Sequence, residues 1–109
     1  MDGAYKVTIT PRAEASLEKI VGYLIDNASV ETAERVRQTL LAAIYGLARM
    51  PSANPVAKGI KSKRNIVYRR VLSMSYRIIY TIEEDELQVL VVEIHHTKRD
   101  PKAISEPFE

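Results

Sequence analysis

Residues 93–101 read EIHHTKRDP and hold both histidines of the chain, side by side, where an apolar run stops. An unperturbed imidazole titrates close to neutral pH, so such residues can move protons in catalysis or bind a metal. They can also be ordinary strand-end residues, each hydrogen-bonded to a neighbour. Zinc is disfavoured. The chain has no cysteine, and two adjacent histidines lack a third ligand at a spacing that would close a tetrahedral site. No metal and no other cofactor is expected.

Successive strand residues point to opposite faces, so His95 and His96 cannot both line one pocket. The partner that would make either one interesting is Arg77, whose planar fork suits a phosphate; the alternative is a structural arginine paired with Glu93. The connection between the two strands decides which histidine joins it. A two- or four-residue loop places His96 beside Arg77, whereas an odd loop or a bulge places His95 there.

A second group of candidates is electrostatic. Between Lys58 and Arg77 there are seven basic residues and no acid, while Glu83 to Glu86 form an acidic run. The net charge of +2 is too small to mark a nucleic-acid binder. A local positive field survives that balance. Lys61, Lys63 and Arg64 sit in it as candidate phosphate contacts. The alternative is a solvated loop whose lysines and arginines discourage edge pairing. Tyr68, Tyr76 and Tyr80 are expected to fill the core.

The elements that must position these residues follow from periodicity. Tyr5 to Ile9 alternate as a half-buried strand. Thr10 and Pro11 read as an N-cap and a first helical residue. Ala13, Leu17, Ile20, Val21, Leu24 and Ile25 then form one helical face, which ends near Asp26 and Asn27. Ser29 can cap a second helix with the face Ala33, Val36, Leu40, Ile44 and Leu47, closed at Met50-Pro51. The short gap predicts an antiparallel helical hairpin. A long connection runs from Pro51 to Asn65. Strands follow at Val67 to Leu72, Tyr76 to Ile82 and Leu87 to His95. The last is apolar on both parities, which predicts a central position beside the first strand. The fold class is α+β, ordered β-α-α-β-β-β. A helical hairpin packs on one face of a small, mostly antiparallel sheet whose other face is partly open.

The 109 residues fit one domain, 1–109, with a frayed tail after about residue 101. Without cysteine there are no disulfides, which suits the cytoplasm. No apolar stretch approaches a membrane span and the start carries no signal-peptide pattern.

The segments YKVTITPRAEASLEKI, YRRVLSMSYRIIYTI and VVEIHHTKRDP, in this order, resemble the RelE/ParE superfamily of toxins from bacterial type II toxin–antitoxin modules. The resemblance spans about Tyr5 to Pro101. A final strand ending in histidine and then Lys98-Arg99-Asp100-Pro101 is similar to the ParE branch. It implies a growth-inhibiting toxin of the plasmid-stabilisation type, held in a hetero-oligomer by the extended segment of a cognate antitoxin. ParE-like members inhibit DNA gyrase, and their helical hairpin takes part in toxin action and antitoxin contact. RelE-like members are ribosome-dependent endoribonucleases that cut mRNA. In them an arginine at the place of Arg77 serves the phosphate, sometimes with a histidine, as His95 or His96 would here, and lysines precede the same strand. The ParE reading implies a binding protein and the RelE reading an enzyme.

Overall fold

The computed structural model describes residues 4–60, 62–99, 106 and 108. Strand β1 (Lys6–Ile9) leads into helix α1 (Pro11–Asn27) and helix α2 (Val30–Tyr45). Strands β2 (Arg69–Ser73), β3 (Tyr76–Glu83) and β4 (Gln88–His96) complete the sheet. Both helix starts follow the sequence. The Thr10 hydroxyl accepts a hydrogen bond from the Ala13 amide at 3.2 Å, and the Ser29 hydroxyl accepts one from Thr32 at 3.0 Å. Each satisfies an amide that the first helical turn would leave bare.

The second helix stops earlier than its apolar pattern suggests. It ends at Tyr45, and the chain tightens into a 3-10 turn over Gly46–Ala48. Leu47 is nevertheless buried, so the periodicity located the core residue but not the helix end. Met50 then takes a left-handed φ of 47°, turning the chain into a second 3-10 turn at Pro51–Ala53. The next strand begins two residues later than expected, because Asn65 also has positive φ and Val67 lies exposed.

The strand order is β1-β4-β3-β2. β4 therefore sits inside the sheet, with β1 parallel on one side and β3 antiparallel on the other. Its double-sided apolar pattern has this cause: both faces are covered. On one face Ala13 and Leu17 of α1, and Leu40 and Ile44 of α2, pack on Ile78, Tyr80, Val89, Val91 and Ile94. On the other, Ala57, Tyr68, Ile79, Val92 and Phe108 form a smaller cluster. Most of the tail expected to fray lies outside the described residues. The two described positions, Glu106 and Phe108, are held against the sheet.

The long connection is tied down by Tyr80. This fully buried side chain donates its hydroxyl to the Pro51 carbonyl at 2.5 Å and accepts from the Asn54 amide at 3.0 Å. Arg69 adds a bond from its guanidinium to the Asn54 carbonyl at 2.6 Å. Tyr80→Phe leaves the ring packed but strands a buried carbonyl. It should cost about 1–2 kcal/mol, read as a lower urea midpoint at unchanged m-value. An unchanged midpoint would show that the hydroxyl does not anchor the loop.

Candidate functional site

Arg77 and His95 face each other across the β3–β4 pair. Four residues, 84–87, separate Glu83 from its partner Gln88, and a four-residue loop alone would pair Arg77 with Ile94 and so place it on the face of His96. The register shifts once on the way. Tyr80 pairs with Val91 but Ile79 pairs with Glu93, leaving Val92 without a partner on β3. This bulge exchanges the faces of every later β4 residue. His95 thus shares the Arg77 face, and His96 falls on the side of the helices.

Around His95 lies a pocket of about 360 Å³. Its walls are Arg70 and Leu72 of β2, Arg77 and Ile79 of β3, Thr97, and Ala57, Lys58 and Ile60 of the long connection. Three cationic side chains therefore surround one imidazole. His95 is only 2% exposed, and neither ring nitrogen has a hydrogen-bond partner among the described residues. Burial, reinforced by the positive charge of Arg77, pushes its pKa down to about 4, against a smaller upward pull from Glu93. At neutral pH the ring is uncharged. It can accept a proton or a hydrogen bond but has no extra proton to give.

Arg77 does not pair with Glu93. Its guanidinium donates to the Arg99 carbonyl at 3.3 Å. Glu93 is buried and satisfied elsewhere. Its carboxylate accepts from Arg12 Nε at 3.0 Å, from the Ser16 hydroxyl, and from the following Ile94 amide at 3.0 Å. Arg12 and Ser16 belong to the first turns of α1, so this partly buried pair fixes the helix start against the central strand. An acid taken out of water survives only with such partners.

His96 is engaged differently. Its Nδ1 accepts from the Lys98 amide at 3.1 Å, and its ring meets Tyr76 edge-on at 5.5 Å. Of the loop cations, Lys61 lies outside the described residues. Arg64 is tied to Glu106 at 3.1 Å, and the Lys63 amide donates to the same carboxylate at 2.7 Å. The carboxylate also accepts from the Tyr68 hydroxyl. That bond is the main cause of its depressed pKa of about 2, with the Lys63 amide, Ser62 and Arg64 adding to it. Lys58 and Arg70 are the pocket residues that the sequence reading did not single out. Arg70 was findable: the short β2–β3 turn pairs it with Ile79, on the parity of Arg77.

The pocket can hold an anion, through Arg70, Arg77 and Lys58. Among the described residues lining it there is no carboxylate and no tyrosine. The buried imidazole also makes stability depend on pH. The unfolded chain binds a proton at His95 below about pH 6.5, which the folded chain refuses until about pH 4. The stability is therefore complete above pH 6.5 and is lost as pH falls toward 4. The charged groups around the ring are Arg77 from β3, Arg70 from β2, Lys58 from the connection, and Glu93 and Arg99 from its own segment, with the titratable His96 next to it in sequence on the opposite face. Wild type should lose about 2–3 kcal/mol more than His95→Leu between pH 7 and pH 4, measured by urea unfolding. Parallel pH curves for the two proteins would sink this assignment.

The sequence profile for the ParE toxin of the type II toxin–antitoxin system, parDE, matches residues 7–101. Among solved structures, the chain resembles one of the chromosomal ParDE system from P. aeruginosa. The TM-score is 0.68 at 14% identity, covering 86% of this chain and 97% of that one. It also resembles one of the toxin–antitoxin complex RelBE2 from Mycobacterium tuberculosis. There the TM-score is 0.58 at 21% identity, covering 85% of this chain and 91% of that one. No curated protein sequence matches. At such identities the two structures speak for the fold, whereas the profile spans most of the sequence, and the chain belongs to the ParE family of type II toxins.

Proposed function

We propose that this ParE-family chain is restrained by a cognate antitoxin in a cytoplasmic hetero-oligomer and, when released, inhibits DNA gyrase by binding it. The family match supports the module and the ParE resemblance supports the target. The choice of binding over cleavage rests on the chemistry of the His95 pocket. Cleaving RNA through its 2′-hydroxyl needs one group to take a proton and another to return it to the leaving oxygen. Among the described residues, the pocket lining holds cations and a buried neutral imidazole but no carboxyl group and no tyrosine. The helical hairpin meanwhile presents Tyr23 and Val30, each 65% exposed, together with Ile25 and Tyr45. Ile25 and Tyr45 line one groove between the two helices, an exposed apolar surface of the kind that serves association with another protein.

The second reading is a ribosome-dependent mRNA endoribonuclease. One observation favours it: the bulge brings His95 opposite Arg77, an arrangement that could stabilise a phosphate and accept a proton.

Inducible expression without antitoxin separates the two. Plasmid supercoiling and the 5′ ends of messages would be followed after induction. The expected result is loss of supercoiling while messages stay intact. Codon-positioned cleavage that falls by ~10²–10³ in Arg77→Ala would reject the gyrase reading.

A further inference from the structure

Beside α1, at the end of the sheet where β3 starts and β4 stops, lies a shallow depression of about 590 Å³. Lys19 and Tyr23 of α1, Tyr76 of β3, His96 of β4 and Lys98 of the turn beyond it line its walls. The i, i+4 spacing sets Lys19 next to Tyr23 on the helix surface. Tyr23 is 65% exposed, so its ring does not serve the core. Tyr76 and His96 meet with their ring planes at 78°. In such a pair, the ring that gives its edge keeps both of its own faces clear of the other. The turn beyond β4 is held by its backbone. The Thr97 amide donates to the Ser75 carbonyl at 2.8 Å and the Arg99 amide to the His96 carbonyl at 3.0 Å. The Lys98 amide donates to His96 Nδ1, which fixes this lysine beside the ring and leaves the ring proton on Nε2. Among the described residues that line the depression there is no carboxylate.

We infer that this depression binds a short segment of single-stranded DNA, with bases stacked on Tyr23 and on the Tyr76–His96 pair and the flanking phosphates held by Lys19 and Lys98. Aromatic faces set between cations are the chemistry that holds unpaired nucleic acid, because every base has a π-face and every link a charge. A duplex offers only its phosphates here, since its bases already stack on one another. The two lysines stand on separate elements at the border of an open surface, which suits successive phosphates of a strand. The choice of DNA over RNA rests on the gyrase reading, since gyrase acts on DNA; the stacking argument does not. The depression shares no lining residue with the groove of Ile25 and Tyr45 or with the His95 pocket. Strand and protein contact therefore need not compete for the same side chains.

The probe is a fluorescein-labelled oligothymidylate of about eight nucleotides, titrated by anisotropy against the full-length chain at low and moderate salt. Tyr23→Ala should weaken binding about 10-fold, and Tyr23→Phe, which keeps the π-face, should not. Lys19→Gln with Lys98→Gln should flatten the slope of log affinity against log salt by about 1.4, two phosphates at about 0.7 each. A duplex of the same length should bind more weakly than the single strand. No binding at low salt, equal binding of the duplex, or tighter binding of an oligouridylate would overturn the inference. So would binding that falls with Arg77→Ala but not with Tyr23→Ala, which would put the strand in the His95 pocket. A Tyr23→Ala effect on gyrase binding without one on the oligonucleotide would overturn it too, by making the patch a protein contact. The titration contains no gyrase, so it can fail while the supercoiling assay succeeds, and the reverse.

Discussion

The pairing of β3 with β4 contains one residue more on β4 than on β3, and most of what distinguishes this molecule follows from that extra residue. Before the bulge, Val89 and Val91 face the helices. After it, Ile94 faces them and His95 turns away, opposite Arg77. The shift also sets Glu93 where α1 begins, so that Arg12 and Ser16 can satisfy its carboxylate. A strand slip of one residue exchanges faces along its whole length. A bulge confines that exchange to one end, which lets the same strand serve the core and a polar pocket.

The pocket is built from charge held close to a buried ring. Arg70, Arg77 and Lys58 converge on it from two strands and a loop. Their field adds to desolvation in keeping His95 neutral. A cationic, acid-poor pocket attracts anions, but charge alone does not make a nuclease. Proton transfer requires groups whose pKa values bracket the working pH. The proposed binding function rests on the family membership together with this electrostatic state.

The two faces of the sheet are covered by different means. Amphipathic helices with capped starts cover one face in a continuous core. A loop anchored by Tyr80, and a tail held at Glu106 and Phe108, cover the other. The helical face is locked by many buried side chains. The second face rests on a smaller buried cluster, the loop held by Tyr80, and a carboxylate shared among several donors. Local opening is drawn from less densely packed regions.

The sequence by itself determined the order of elements, both helix starts, the antiparallel helical hairpin and the central place of the last strand. Each of these is written in local periodicity, in Thr10-Pro11 and Ser29 as caps, or in the double-sided apolar run after Leu87. It also established that only one histidine could join Arg77. The end of α2 was misjudged because Leu47 keeps the apolar spacing while the backbone tightens around Gly46. Tertiary structure alone decided that the histidine is His95, because a bulge is a property of two paired strands and leaves no mark in either one. It likewise decided that Arg12 and not Arg77 pairs with Glu93, and that Glu106 and Phe108 seat on the sheet. Those contacts join residues some forty to eighty positions apart, and only the folded sheet brings them within reach.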